Sequence, residues 1–147
     1  MESPEELKTL LSKGLALLKS GNNVDAIFSF EELLIKSERS AVSLSCLGLA
    51  MARARLDLRA AVLHCSEAIK KSPKKADFYL SLGEVYQTQG DKKSAIETLQ
   101  KGLKVDRRHK GLRRKIKALG VRKKNAIPFL SRSNILNKFV GGLLREK

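Results

Sequence analysis

The chain has 147 residues, with 30 Lys and Arg against 15 Asp and Glu and a formal net charge of +15. That length holds one domain with an appendage, and an acidic, proline-bearing start with no long apolar run predicts neither a secretory leader nor a membrane span. Cys46 and Cys65 lack metal-ligand spacing and imply no disulfide, which points to a reducing cytoplasm.

Ser3-Pro4-Glu5-Glu6 combines an N-cap hydroxyl, a first-turn proline and a capping-box glutamate, so a helix is predicted from Pro4. Leu7, Leu10, Gly14 and Leu17 recur at helical spacing, and after Gly21 the residues Ala26, Phe30 and Leu33 mark the inner face of a second helix. Leu44, Leu47, Gly48 and Met51 repeat the first pattern, and Ala61, Cys65 and Ala68 the second, until Pro73 stops the helix. The turn at Arg55-Leu56-Asp57 must hold one extra residue and has no glycine, so its course is the least determined. Tyr79, Leu82, Gly83 and Tyr86, the Gly90-Asp91 turn, and then Ala95, Leu99, Gly102 and Leu103 form a third such unit. A glycine inside a helix costs about 1 kcal/mol relative to Ala. Finding Gly14, Gly48 and Gly83 at one recurring place predicts a neighbouring helix that passes too close for a side chain. Glu32 with Lys36, Glu67 with Lys71 and Glu97 with Lys101 are spaced for pairing along exposed faces.

Lys110 to Leu119 continues as a seventh helix, with Gly120 at its C-terminal end. Leu112, Ile116 and Leu119 share one face, and Lys110, Arg113, Arg114 and Lys117 the other. Beyond it, Arg122-Lys123-Lys124 leads to a proline-stiffened apolar segment and then to a short amphipathic helix predicted over about 135–145. Ile135, Leu136, Phe139, Val140, Leu143 and Leu144 fill half of that helix, and Asn137, Lys138, Gly141 and Arg145 lie opposite. Gly141-Gly142 weakens it in isolation, so it needs a surface to bury against. Its own repeats, another protein and an anionic membrane surface are the three targets, and the first needs no external partner.

Tyr79, Leu82-Gly83 and Tyr86, followed by Ala95 nine residues on, resemble the opening of a tetratricopeptide repeat, and the earlier units fill the same places. The resemblance covers about residues 7–109 as repeats 7–40, 41–75 and 76–109, with Lys13 in the usual leucine place of the first. It implies an all-α superhelix of three helical hairpins plus a capping helix over 110–119, a domain spanning 1–120 and a basic tail over 121–147. It also implies a non-enzymatic scaffold that holds a peptide or helix of a partner protein on a concave surface. Carried over place by place, that surface includes Lys8, Leu11, Leu15 and Lys19, then Val42, Ser45, Leu49 and Arg53, then Asp77, Leu80, Glu84 and Gln87. Leu11, Leu15 and Leu49 read either as an apolar groove floor or as core. Chaperone-binding members of the family carry a cationic carboxylate clamp. The matching places here hold Leu11, Leu15, Leu49, Asp77 and Ser81, so no carboxylate-clamp chaperone partner is expected.

Catalytic signatures are missing from the sequence: no glycine-rich phosphate loop, no His-Glu-x-x-His and no serine elbow. His64 and His109 stand apart, and no cofactor or metal is expected. Charge is uneven, however, because residues 110–147 hold 12 of the 30 cations but only 1 of the 15 anions. Lys110, Arg113, Arg114, Lys117, Arg122, Lys123 and Lys124 therefore form a candidate anion-binding patch for non-specific RNA or DNA or an acidic membrane surface. This is the alternative to the protein scaffold. The scarcity of aromatics for base stacking weighs against it.

Overall fold

The capping box at the N-terminus is formed: the Ser3 hydroxyl accepts the Glu6 N–H at 3.3 Å and the Glu6 carboxylate accepts the Ser3 N–H at 2.9 Å. From it runs α1, Pro4–Ser20, the first of seven α-helices among the described residues. The structure is a computed structural model and describes residues 3–120. The others are α2 (Asn23–Lys36), α3 (Ala41–Arg53), α4 (Leu58–Lys71), α5 (Ala76–Gln89), α6 (Lys92–Val105) and α7 (Lys110–Ala118). Consecutive helices pair as hairpins, α1 with α2, α3 with α4 and α5 with α6, and each hairpin packs on the next through α2 on α3 and α4 on α5. Helix α7 closes the stack against α6.

The inward residues of the pattern make a core in three sections. Phe30, Leu33, Leu44, Leu47 and Ala50 are buried between the first two hairpins, Ala61, Cys65, Leu82 and Val85 between the second and third, and Leu99 with Leu112 beneath α7. The recurring glycine lies where the partner helix crosses. A Cβ on Gly48 would stand 2.5 Å from the Cys65 sulfur and 2.8 Å from the Ala61 carbonyl oxygen. One on Gly83 would stand 2.6 Å from a Leu99 methyl.

Ion pairs tie the units together at longer sequence range than the sequence pattern suggests. Glu32 pairs with Lys36 at 3.0 Å as expected, but Glu67 turns to Arg39 at 2.7 Å rather than along its own helix to Lys71. The long Arg39 side chain reaches from the α2–α3 turn and offers a direct hydrogen bond to the carboxylate, which exposed lysines one turn away do not improve on. The glycine-free turn after α3 resolves through two left-handed residues, Arg55 at φ 56° and Asp57 at φ 35°. The Asp57 carboxylate then caps α4 by accepting the Ala60 N–H at 3.0 Å.

Candidate functional site

The first helices of the hairpins contact one another directly, α3 on α5 and α1 lightly on α3, so α1, α3, α5 and α7 present one inner surface. Such stacking gives repeat arrays their extended concave face. Along it, Lys8 and Lys19 on α1 are exposed, and Lys8 is paired with Glu5 at 2.9 Å. Leu15 on α1 is 47% exposed and Val42 on α3 is 38% exposed, which makes them open apolar surface. Leu11 and Leu49 are partly buried and pack on the first core section. Ser45 is 3% exposed and gives a ligand no surface. Its carbonyl instead faces the buried Cys65 thiol, which donates to it at 3.8 Å.

At the other end, the remaining candidates form a polar network. Glu84 on α5 is bound by Arg53 on α3 at 2.8 Å and by Lys115 on α7 at 3.5 Å, which ties three helices of the inner surface together. Asp77 accepts from the His109 Nε2–H at 2.9 Å, while His109 Nδ1 accepts the Leu112 N–H at 3.2 Å. That pair of bonds orients the ring between α5 and the start of α7. Gln87 is exposed. Leu80 lines a cleft of about 320 Å³ with Gly111, Arg114, Lys115 and Ala118. Leu80 was assigned to the groove from the sequence and Arg114 to the anion-binding patch, whereas Gly111, Lys115 and Ala118 were assigned to neither. Gly111 packs directly against Leu80, where an added Cβ would stand 2.8 Å from the Leu80 Cδ2, and Ala118 borders the cleft beside it. The spacing of Gly111, Arg114 and Ala118 along one helix face was the available signal.

The candidate anion-binding residues on α7, Lys110, Arg113, Arg114 and Lys117, are all exposed and point away from the buried Leu112. Arg114 belongs to both candidate sites, since it also lines the Leu80 cleft. Arg122, Lys123 and Lys124 and the helix predicted over 135–145 lie outside the described residues.

Among the described residues no cluster of three His, Cys, Asp or Glu side chains could hold a metal ion. The thiols are poor nucleophiles: burial pushes the Cys46 pKa up to about 11, and burial with Cys46 beside it pushes Cys65 up to about 12. No described helix is long and apolar enough to cross a membrane.

A tetratricopeptide-repeat family model matches residues 52–116, from the last residues of α3 through α4 and the third hairpin and into α7. The chain is similar to the Sgt2 TPR domain from Aspergillus fumigatus at 17% identity, covering 89% of this chain and 93% of that one with a TM-score of 0.70. It is similar to the first TPR domain of Spaghetti (RPAP3) bound to the HSP90 peptide SRMEEVD at 14% identity, covering 80% and 93% with a TM-score of 0.67. It is similar to MamA at 27% identity, covering 80% of this chain and 68% of that one with a TM-score of 0.63. No curated protein sequence matches the chain. The protein therefore has the tetratricopeptide-repeat fold, with three helical hairpins and one further helix.

Proposed function

We propose that this protein is a non-enzymatic scaffold that holds a peptide or helix of a partner protein along the inner surface of α1, α3, α5 and α7. The observation that carries the reading is the cleft over Leu80, an apolar floor with Arg114 and Lys115 at its lip. Leu15 and Val42 supply further open apolar surface on the same side. Such a surface fits a ligand that pairs an aliphatic or aromatic side chain with a neighbouring carboxylate, because the apolar group is removed from water while the carboxylate meets a guanidinium. The RPAP3 and Sgt2 domains support the reading by fold, and the RPAP3 domain was solved with a chaperone peptide. Leu11, Leu15, Leu49, Asp77 and Ser81 at the clamp places make an acidic chaperone tail a poor fit here.

Display of random peptides against the full chain tests this. Enriched sequences should combine an apolar residue with Asp or Glu. Leu15→Asp and Arg114→Glu should each weaken them by roughly tenfold, about 1.4 kcal/mol, with helicity unchanged. Enrichment of purely basic or polar peptides would overturn it, as would unchanged binding by both variants.

A second reading, a polyanion partner, has its own support in the four exposed cations of α7. The cations of the last turn also favour the helix C-terminus, so part of this charge has a structural use. Steep loss of RNA or acidic-vesicle binding with added salt, abolished by reversing Arg113 and Lys117, would favour it. Residence in the reducing cytoplasm is part of the proposal, supported by two free cysteines of which Cys65 is wholly buried.

A further inference from the structure

The outer face of α2 departs from the rest of the stack. Val24, Phe28 and Ile35 are 52%, 65% and 80% exposed. At about 100° per residue they fall within about 40° of one another, a continuous apolar stripe. The repeat supplies an internal comparison. With Ala26 matched to Ala95 and Phe30 to Leu99, the same three places on α6 hold Lys93, Glu97 and Lys104. On α4 they hold Arg59, Leu63 and Lys70, so only the middle place is apolar there. Solvent-facing helices of a stack are ordinarily polar, as α6 is. An apolar stripe confined to the first hairpin is built to be covered.

Charge says what covers it. The stripe is flanked by the exposed carboxylates Asp25, Glu31 and Glu32, the last already paired with Lys36 at 3.0 Å. Phe28, Asp25 and Glu32 also border a cleft of about 380 Å³ between α1 and α2, with Leu17 and Lys13. An acidic, apolar face in a chain of net charge +15 is complementary to the chain's own end. Residues 121–147 hold 7 cations and 1 anion, and Ile135, Leu136, Phe139, Val140, Leu143 and Leu144 share one half of a helical wheel beside Lys138 and Arg145. Reach permits the contact. The 14 residues between Gly120 and Ile135 span about 50 Å when extended, and helices stacked about 10 Å apart place α2 roughly 30 Å from α7.

We propose that residues 135–144 fold back onto the outer stripe of α2 in the same molecule, with Phe139 against Phe28 and Ile35 and the flanking cations against Glu31 and Glu32. The inner surface stays open, so this contact stands whether or not the groove takes a peptide.

Disulfide trapping in the full chain tests it. A Phe28→Cys, Phe139→Cys chain should oxidise to an internally cross-linked monomer. Glu97→Cys with Phe139→Cys, the equivalent place on α6, should cross-link at least tenfold more slowly although α6 lies nearer the start of the tail. Glu31→Lys with Glu32→Lys should slow the first cross-link several-fold, and adding Lys138→Glu with Arg145→Glu should restore it. Circular dichroism of each variant establishes that the repeats remain folded, which surface substitutions leave intact. A cross-linked dimer would make a second copy the occupant and overturn the proposal. Equal trapping on α6 would overturn it as well, and so would no trapping on α2.

Discussion

The two central repeat glycines differ in what lies opposite them. At Gly48 an added methyl meets the Ala61 carbonyl oxygen at 2.8 Å, and a backbone group can give way only by moving α4. At Gly83 it meets Leu99 Cδ2 at 2.6 Å and Cγ at 2.7 Å, side-chain atoms that a change of rotamer can shift. Replacement by Ala gains about 1 kcal/mol of helix propensity at either place and loses about 1–3 kcal/mol to overpacking. Gly48→Ala should therefore destabilise by about 2 kcal/mol, and Gly83→Ala should be nearly neutral, as read from urea unfolding midpoints. Larger residues at Gly83 should cost about 1–3 kcal/mol, because in that fully buried site a change of Leu99 rotamer frees room for a methyl but not for a longer side chain. Equal costs for the two alanine variants would show that α4 adjusts as freely as a leucine side chain.

Among the elements, the turn between α3 and α4 carries local strain. Arg55 adopts φ 56° with a Cβ, whereas the turns after α1 and α5 use Gly21 and Gly90 at φ 84° and 82°. A non-glycine residue there costs about 1–2 kcal/mol, partly offset by the lower entropy of its unfolded chain. Arg55→Gly should raise stability by about 0.5–1 kcal/mol, seen as a higher thermal midpoint. Asp57 should not tolerate the same change. Its left-handed φ is the cost of placing a carboxylate over the first turn of α4, and losing that cap costs about 1 kcal/mol. A lower midpoint for Arg55→Gly would place another constraint on that side chain.

Across the whole molecule, ion pairs bridge successive units: Arg39 to Glu67, Arg53 to Glu84, and Lys115 to Glu84. Each exposed pair contributes little alone, and the groups around Arg39 set the response to acid. Partial burial and the Arg39 guanidinium hold the His64 pKa below its ordinary 6.5, against the opposing pull of Glu67, Asp57 and Glu31. The unfolded chain thus binds the His64 proton first, so stability is greatest above pH 6.5 and falls as pH drops through that value. The Glu67 carboxylate, hydrogen-bonded by Arg39, is held below its ordinary 4.5, and its contribution is lost only at lower pH. Urea midpoints should accordingly decline in two stages on acidification, and His64→Gln should remove the upper one. A profile unchanged by that substitution would show that another group governs the upper stage.

What the sequence determined by itself was whatever depends on neighbours in the chain. Ser3 and Glu6 cap a helix, Pro73 ends one, Gly90 turns the backbone left-handed, and the glycine at one recurring place marks each helix crossing. These are contacts within a few residues or within one repeat, so their spacing is visible along the chain. The division of Leu11, Leu15, Leu49 and Ser45 between exposed and buried was not visible, because it depends on which sides of α1 and α3 the neighbouring helices cover. The pairing of Glu67 with Arg39, 28 residues away, and of His109 with Asp77, 32 residues away, was equally hidden behind nearer candidates. The stripe on α2 lies between these cases. Val24, Phe28 and Ile35 are plain in the sequence, and setting them beside Lys93, Glu97 and Lys104 marks them as unusual. Only the packed stack shows that they face outward, since a helix has two apolar faces until tertiary contacts choose the one to bury.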